Sequence, residues 1–462
     1  MVRLFKHYVP HAVLALWLLD FALLLVAAET GWTVRAHQIG MDAGALADRM
    51  FQLLAFASCL SLTMIGVGVY GVEALQSLRF ATARLMVAIS LGVILLSLVY
   101  FLLPDFSLWR SNLFYAMILS SALLVGVRLP MARAFRGPGF KRRIIILGAG
   151  RRAMRIRELA AARGAGFVIV GYVAMNDGKQ LIGEAINRDA IGSLADHVVL
   201  LGASEVVLAL EERRNALPLQ DLLRIKTTGV HVNDMSTFLE RETGRVDLDS
   251  VNPSWLIFSD GFSSGRRLSG FAKRLFDLAA SLCLLLLTFP LLVLGALAVR
   301  LSSRGPAFFR QVRVGLYGQH FTLVKLRSMR VDAEAPGVPQ WAEENDPRIT
   351  RVGRLLRITR IDELPQLWLV LKGEMSFVGP RPERPQFVDD LETRLPYYAE
   401  RHMVKPGITG WAQINYPYAA SIEDARRKLE YDLYYAKNYT PFLDLLILLQ
   451  TARVILWPEG AR

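Results

Sequence analysis

Four long apolar stretches fill the first third of the chain, and they constrain its fold more than any other feature. They cover residues 8–28, 51–72, 85–103 and 112–127, and each is near the length that crosses a bilayer. Because lipid offers the backbone no hydrogen-bond partners, such stretches must be helical. We therefore predict four transmembrane helices within residues 1–130.

The basic residues around these stretches predict their orientation. Lys and Arg precede the first stretch, separate the second from the third and follow the fourth, whereas the opposite loops carry mostly acids. Loops rich in Lys and Arg stay in the cytoplasm, so we place the N-terminus and everything after residue 128 there. Asp20 lies within the first stretch. An acid in lipid is a functional candidate by default, but helix packing is the explanation that we favour.

Composition narrows the class of partner. The 462-residue chain is 53% apolar and 21% charged, which is typical of a membrane section joined to water-exposed sections. Its net charge of +13 favours anionic partners, and the apolar content favours lipid headgroups and phosphorylated small molecules over nucleic acid. The seven histidines are scattered and the two cysteines lie in apolar runs, so neither a transition-metal site nor a disulfide framework is indicated.

Residues 141–261 alternate short β-branched runs with helical runs, which predicts a soluble Rossmann-like α/β domain. Gly148 and Gly150, with Ala153, match the dinucleotide pattern in which a helix N-terminus holds a pyrophosphate. The match is weak because no acid ends the second strand, Asp177 coming a few residues late. We favour a degenerate domain used for assembly or regulation over a nucleotide-binding one. Residues 262–272 are predicted to be a linker.

A fifth apolar stretch, residues 278–299, contains Pro290 just past its middle. It is long enough to span a bilayer, but basic residues flank both of its ends, and these keep both ends in the cytoplasm. We therefore predict a helix that is broken at Pro290 and re-enters the membrane. Full spanning is the alternative, and it would place the C-terminal residues outside the cell.

Clustered cations and acids between residues 325 and 382 indicate a phosphate site. Arginines recur at every third position from 351 to 360, so several can present guanidinium groups on one side of a helix, although solvated helix faces show the same pattern. The adjacent acids Asp362 and Glu363 favour a catalytic site over a solvated helix face. Carboxylates serve as nucleophiles and, together with substrate phosphates, as ligands of Mg²⁺. The cations are Lys325, Arg327, Arg351, Arg354, Arg357, Arg360 and Arg381, the last in a rigid turn between Pro380 and Pro382.

These clusters resemble the bacterial sugar transferases, a family of polyprenyl-phosphate hexose-1-phosphate transferases. The four spans and the Rossmann-like domain are similar to those of the long members, which prime exopolysaccharide or O-antigen repeat units. The resemblance runs from residue 273 to residue 457 and rests on seven ordered blocks, residues 273–277, 305–311, 325–329, 345–350, 362–367, 373–382 and 405–413.

The resemblance implies a monotopic catalytic domain, residues 273–462, in the cytoplasm at the bacterial inner membrane. It implies a UDP-sugar donor, a polyprenyl phosphate acceptor such as undecaprenyl phosphate, Mg²⁺ as cofactor and a homodimer. Asp362 would attack the sugar-bearing phosphorus and Glu363 would bind Mg²⁺. Contacts to substrate are implied for Lys325, Arg327, Arg357, Arg360, Pro380, Arg381 and Pro382. Lys273 and Arg274 would contact lipid phosphate at the mouth of the re-entrant helix, and Pro290 would lie at its break within the membrane.

Two departures from the family pattern leave the sugar open. Many members have Ser-Pro where this chain has Phe289-Pro290, and a Gly-Arg pair where it has Tyr416-Pro417. Residues 331–344 have no clear periodicity and are either a mobile lid or a surface loop. Two other functions stay open at this point: an NAD-dependent enzyme built on residues 141–261, and a non-catalytic scaffold of polysaccharide assembly in which the acids and arginines form structural ion pairs.

Overall fold

The fold is mixed α/β and divides into two compact units. The first unit consists of Met1–Leu4 and Tyr8–Gly244, and the second of Phe5–His7 and Arg245–Arg462. Two short strands, β1 (Val2–Leu4) and β2 (His7–Val9), lie at the N-terminus. The computed structural model describes residues 2–4, 7–9, 11–71, 78–134, 141–162, 165–175, 179–211, 217–251, 267–331, 333, 347–416 and 421–456.

Four long helices follow in the first unit, and each is long and apolar enough to cross a membrane. The prediction of four apolar helices is confirmed, with ends that differ by several residues from the apolar stretches. Helix α1 packs along α4, and α2 packs along α3. Their bounds are α1 (His11–Gln38), α2 (Met50–Val67), α3 (Leu78–Leu102) and α4 (Arg110–Ala134).

Asp20 is fully buried between these helices. Arg128 of α4 donates to both of its carboxylate oxygens, at 3.0 and 2.7 Å, and the Tyr70 hydroxyl donates to Oδ2 at 2.9 Å. A charge that has left water is tolerated when it is paired and hydrogen-bonded in this way. The contacts therefore favour the helix-packing explanation of Asp20.

A five-stranded parallel sheet completes the first unit, with strand order β5-β4-β3-β6-β7. The predicted βαβ opening is confirmed, since β3, α5 and β4 follow one another and β3 pairs in parallel with β4. Helices pack on both faces of the sheet. The elements are β3 (Arg142–Leu147), α5 (Arg151–Ala161), β4 (Phe167–Ala174), β5 (Ile186–Asn187), α6 (Leu194–Leu200), β6 (Glu205–Leu208), α7 (Leu219–Thr227), β7 (His231–Asp234) and α8 (Met235–Thr243).

The glycine-rich turn after β3 holds a carboxylate from the chain itself. Gly148 has φ +118°, and a Cβ there would lie 2.4 Å from the Ala209 carbonyl oxygen. The backbone N–H of Arg152, in the first turn of α5, donates to Oε1 of Glu211 at 3.0 Å, and that carboxylate lies 2.8 Å from the position of a Cβ on Gly150. A pyrophosphate at this helix N-terminus would need the same place. This geometry favours the degenerate alternative for the domain.

The second unit contains the long helix α9 and a compact α/β region around it. A two-stranded antiparallel hairpin, β8–β9, and a parallel pair, β10–β11, are its sheets. Its elements are α9 (Arg267–Ser302), β8 (Phe308–Val314), β9 (His320–Leu326), α10 (Arg351–Ile358), α11 (Gln366–Lys372), β10 (Ser376–Val378), α12 (Pro385–Arg394), β11 (Gly407–Thr409), α13 (Trp411–Asn415), α14 (Ile422–Asn438) and α15 (Pro441–Leu456).

The boundary between the units falls earlier than the predicted one at residue 261. The Val246 N–H donates to the Glu430 carbonyl of α14 at 3.0 Å, and Val246 and Leu248 are buried in the core of the second unit. Residues 267–272 of the predicted linker form the first turns of α9. Parts of other predicted features lie outside the described residues, namely linker residues 262–266, Asp177, most of 331–344, and Pro417.

Helix α9 extends from Arg267 to Ser302 with Pro290 inside it, so the chain stays helical at the position of the predicted break. Proline cannot donate to the carbonyl four residues earlier, but its fixed φ is helical. In the turn before the proline, the Thr288 hydroxyl donates to the Leu284 carbonyl oxygen at 2.6 Å. The face of α9 that carries Leu286 and Leu287 is exposed, at 69% and 73%. This helix is the fifth with a membrane-spanning length and composition.

Candidate functional site

Asp362 and Glu363 lie on a single 3₁₀ turn, Ile361–Glu363, between α10 and α11. The chain enters the turn through Arg360, which has φ +58°, a left-handed conformation that costs a non-glycine residue free energy and is concentrated at functional sites. Gly295 of α9 packs against the turn, since a Cβ there would lie 3.5 Å from Cγ2 of Ile361. The two acids are thereby fixed next to the long apolar helix.

Helix α10 places its arginines because its N-terminal turn is held by two contacts. Thr350 caps its N-terminus by accepting from the Gly353 N–H at 2.9 Å. A Cβ on Gly353 would lie 1.9 Å from the Ser328 carbonyl oxygen, so only glycine lets the helix approach the chain after β9 so closely. Arg357 follows one turn later, and its Nη1 is buried with no hydrogen-bond partner among the described residues.

Asp362 is a buried carboxylate without a partner for Oδ1 in the part of the chain that the structure describes. Burial, and then the negative charge of Glu363, raises the pKa of Asp362 to about 6, while Lys325, Arg357 and Arg360 act in the opposite direction. Most buried carboxylates in proteins are satisfied by hydrogen bonds. An orphaned, ionisable oxygen at this point is what a nucleophile requires.

Glu363 has a different environment from its neighbour. Arg381 donates to its Oε1 at 3.0 Å, and Arg360 lies 3.7 Å from the same oxygen. Burial would raise the pKa of Glu363, but the guanidinium groups of Arg381 and Arg360 outweigh it and hold that pKa below its ordinary value. The turn therefore combines an acid that titrates near neutrality with one that stays ionised.

Lys325 lies across from these acids on β9. Burial, and then the charge of Arg381, lowers the pKa of Lys325 to about 8, although Asp362 acts to raise it. Its Nζ lies 5.4 Å from the centre of the Phe309 ring. The pKa is lowered because the surroundings neutralise the ammonium charge poorly. An incoming anion would therefore stabilise the charged form of Lys325 strongly.

A cavity of about 630 Å³ opens beside this group and is strongly cationic. Lys325, Arg357 and Arg381 line one part of it, and only two acids occur among its described lining residues, Glu383 and Asp432. Such a cavity suits a ligand with several negative charges and an aromatic or apolar portion. Further lining cations are Arg313, Arg327, Arg330, Arg348, Arg384, Arg401 and Lys428, and the aromatic lining residues are Phe308, Phe309, Phe387 and Tyr398.

The turn with Pro380, Arg381 and Pro382 is held through its backbone. The Pro380 carbonyl accepts from the Gly407 N–H at 2.9 Å, and the Pro382 carbonyl accepts from Arg313 at 3.0 Å. Arg401 donates to the Arg381 carbonyl at 2.9 Å. The two prolines thus position Arg381, whose side chain is about half exposed and turned toward Glu363.

Arg401 was not a predicted site residue, although it anchors this side of the cavity. It forms a buried ion pair with Asp432 of α14 at 2.7 Å, and its Nη1 donates to the Tyr398 hydroxyl at 2.8 Å. No local motif marks this pair, because 31 positions separate the two residues. Arg313 could have been recognised, because it follows Gln311 by two positions along β8, and residues two positions apart face the same side of a strand. Both line the cavity.

Arg327 is drawn away from the acids, in contrast to its predicted role in substrate binding. It is buried, and it donates from Nη1 to the Arg304 carbonyl at 3.0 Å and from Nη2 to the Ser303 carbonyl at 2.9 Å. These carbonyls follow the end of α9, where a cation offsets the helix dipole. Arg327 therefore joins β9 to the long helix, although it also forms part of the cavity wall.

Lys273 and Arg274, the cations predicted to contact lipid phosphate, have partners within the unit. Lys273 forms an ion pair with Asp444 at 2.6 Å and donates to the Val378 carbonyl at 3.1 Å. Arg274 donates to the Val370 and Leu371 carbonyls at 2.6 and 2.7 Å, at the C-terminal end of α11. The two cations fasten the start of α9 to the α/β region.

The same region matches known proteins. Residues 268–458 match the family model described as bacterial sugar transferase. A UDP-glucose:undecaprenyl-phosphate glucose-1-phosphate transferase of Caulobacter vibrioides is 44% identical over 191 residues, which cover 41% of this chain and 71% of that protein. This chain belongs to the bacterial sugar transferase family.

Other relatives of this sugar transferase differ in the sugar that their names contain. A UDP-N-acetylgalactosamine-undecaprenyl-phosphate N-acetylgalactosaminephosphotransferase of Aeromonas hydrophila is 42% identical over 241 residues, 52% of this chain and 56% of the relative. A UDP-glucose:undecaprenyl-phosphate glucose-1-phosphate transferase of Escherichia coli is 44% identical over 181 residues, 39% of each protein. The match thus spans about half the length of the Aeromonas relative and less of the Escherichia coli relative.

Proposed function

We propose that this sugar transferase moves a hexose 1-phosphate from a UDP-sugar to a polyprenyl phosphate such as undecaprenyl phosphate, which gives a polyprenyl-diphosphate sugar and UMP. This reaction would prime exopolysaccharide or O-antigen repeat units. The observation that carries the proposal is the buried carboxylate of Asp362, with an unpartnered oxygen, among the cations that line the cavity. The names of the relatives, which contain undecaprenyl phosphate and a sugar, support it.

In the first half of the proposed reaction, a carboxylate oxygen of Asp362 attacks the sugar-bearing phosphorus of the donor. The bond from this phosphorus to the bridging oxygen breaks, and UMP leaves with the electron pair. A phosphosugar remains as an acyl phosphate on Asp362. Because its pKa is about 6, Asp362 is largely ionised at neutral pH and still more basic than an ordinary aspartate.

In the second half, an oxygen of the polyprenyl phosphate attacks the same phosphorus and Asp362 leaves as a carboxylate. Both halves pass through a transition state with negative charge spread over the phosphoryl oxygens. Lys325, Arg357 and Arg381 line the cavity around this position and would stabilise that charge without reorganising.

Mg²⁺ fits the residues of this site as a partner of the donor. Asp362 and Glu363 offer two carboxylates, and no group of three or more His, Cys, Asp or Glu side chains that could hold a metal occurs among the described residues. Mg²⁺ takes one or two carboxylates together with substrate phosphates, so this small donor set suits it. Glu363 would hold the ion, which when bound neutralises the diphosphate of the donor.

The contacts of α9 support a re-entrant arrangement. Near its start, Lys273 reaches the Val378 carbonyl, and near its end Gly295 packs on Ile361 of the same unit. A straight helix of 36 residues would be about 54 Å long, whereas the bilayer core is about 30 Å thick. A folded unit on one side of a membrane cannot reach both ends of a helix that crosses it. Together with the positive-inside pattern, these contacts support a site at the cytoplasmic surface of the inner membrane.

The decisive experiment compares Asp362→Asn with Asp389→Asn in the full-length protein. Asp389 is exposed on α12, so its change controls for purification and folding. With a panel of UDP-sugars and undecaprenyl phosphate, we expect UMP release by the wild type and by Asp389→Asn, and none by Asp362→Asn. Intact-protein mass spectrometry without acceptor should show the phosphosugar adduct only where Asp362 is present. UMP release by Asp362→Asn at the wild-type rate would refute the proposal.

A further inference from the structure

A second hollow, of about 980 Å³, lies on the other side of the β8–β9 hairpin. Three elements form its walls: the middle of α9, the hairpin and α11. Its described apolar lining side chains include Leu285 and Leu292 from α9, Phe308 and Val324 from the hairpin, and Trp368 and Leu369 from α11. We refer to this hollow as the apolar groove.

The alternation of side chains along the hairpin separates the groove from the cavity. Lys325 lines the cavity, whereas its neighbour Val324 and Thr322 line the groove. Phe308, at the end of the hairpin, lines both. The two hollows therefore meet at Phe308, and the hairpin is the partition between them.

The groove comes near the turn that carries the acids. Pro365, two residues after Glu363, is part of its lining, and α11 continues from that proline along the groove to Lys372. Arg310 and Lys372 are exposed cations of its lining, which also contains one exposed acid, Glu374. A ligand that suits these walls has a long apolar body and an anionic head.

One wall of the groove determines where such a ligand comes from. Leu285 and Leu292 belong to α9, the apolar helix of membrane-spanning length, and Trp368 on the facing wall is 54% exposed. A chain that already lies in lipid beside α9 can enter the groove without crossing water. A nucleotide, in contrast, would find its charges next to leucine side chains.

We propose that the apolar groove binds the first isoprene units of the polyprenyl phosphate acceptor and delivers its phosphate to Asp362. This inference rests on the proposed function and adds a separate acceptor site to it. The donor occupies the cavity on one face of the hairpin, and the acceptor chain occupies the groove on the other. Contacts in the groove should therefore affect only the second half of the reaction.

Thr322→Trp tests this by filling the groove from an exposed strand position, where an aromatic side chain is tolerated. We expect kcat/KM for undecaprenyl phosphate to fall roughly tenfold or more, because a large apolar contact is lost. The burst of UMP without acceptor should keep its wild-type amplitude and rate. A short-chain acceptor with a single isoprene unit, which leaves most of the groove empty, should lose much less of its kcat/KM.

Trp368→Ala is the second variant, since it removes a wall instead of filling the space. It should also lower kcat/KM for undecaprenyl phosphate and leave the burst of UMP without acceptor unchanged. Ile422→Trp is the control, because Ile422 lies on α14 outside the lining of the groove and is 42% exposed, compared with 54% for Trp368. Unchanged kcat/KM for undecaprenyl phosphate in both groove variants, or an equal loss with the short-chain acceptor, would overturn the inference. Absence of any UMP burst in the wild type would instead refute the proposed function.

Discussion

Two groups on opposite sides of the site predict how the activity depends on pH. In the proposed reaction Asp362 must be ionised to attack, and its pKa is raised to about 6 from 3.8. Lys325 must be protonated to attract the diphosphate, and its pKa is lowered to about 8 from 10.5. Activity should therefore fall as the pH drops through 6 and again as it rises through 8, which gives a bell-shaped profile of kcat/KM for the UDP-sugar.

The magnitude follows from these two values. With a pKa of about 6, Asp362 is about 10% ionised at pH 5, so kcat/KM should be about tenfold below its plateau there. An aspartate with an ordinary pKa near 3.8 would still be more than about nine-tenths ionised at the same pH. On the alkaline side, kcat/KM should in the same way be about tenfold below its plateau at pH 9.

Lys325→Arg separates the two sides of the profile. Guanidinium stays charged throughout this range, so the alkaline decline should disappear while the acid decline persists. The plateau should also drop, since arginine and lysine differ in shape. Because Lys325 and Asp362 interact, each measured pKa belongs to the pair, and a modest shift of the acid side is expected in the variant.

The assay is initial UMP release at donor concentrations far below KM, in buffers of constant ionic strength from pH 5 to pH 9.5. Tryptophan fluorescence at each pH establishes that the protein remains folded. A profile that stays flat between pH 5 and pH 7 would refute the assignment of the acid side to Asp362. An alkaline decline that survives in Lys325→Arg would refute the assignment of the other side to Lys325.

Two further predictions concern stability. Asp20→Asn leaves Arg128 buried without a counter-charge, so it should cost about 3–5 kcal/mol and lower the thermal midpoint of the detergent-solubilised protein, while replacing both residues by leucine should recover much of the loss. Gly353→Ala places a Cβ 1.9 Å from the Ser328 carbonyl oxygen and should cost about 1–3 kcal/mol and weaken donor binding, whereas Gly126→Ala, with nothing within 4 Å, should be neutral in both denaturation and donor titration.

The sequence predicted the parts of the protein that depend on local pattern. Long apolar stretches form helices whatever they pack against, because their backbone N–H and C=O groups must hydrogen-bond to one another where no water is present. The acids of the 361–363 turn and Arg381 could likewise be recognised, since neighbouring residues and a rigid turn bring their charges together. Their common location was therefore predictable, while the raised pKa of Asp362 depends on burial that only the folded unit supplies.

Contacts between distant residues could not be predicted in the same way. Lys273 and Arg274 precede an apolar stretch, and from this position alone a role at the lipid surface was reasonable. The partner of Lys273 is Asp444, 171 positions later, and no feature near either residue announces the pair. Arg401 with Asp432 is a second example, and for the same reason much of the cavity wall went unrecognised.

The arrangement of the hairpin gives a physical reason for the proposed covalent intermediate. A nucleotide sugar is soluble in water and a polyprenyl phosphate is not, so a single pocket suited to both would have to be cationic and apolar in the same place. In the proposal, β8 and β9 divide these demands between their two faces, with Lys325 on one side and Val324 on the other. The phosphosugar must then pass from one face to the other. A nucleophile fixed at the edge of the partition, as Asp362 is by its strained turn against α9, allows this transfer without either substrate leaving its own environment.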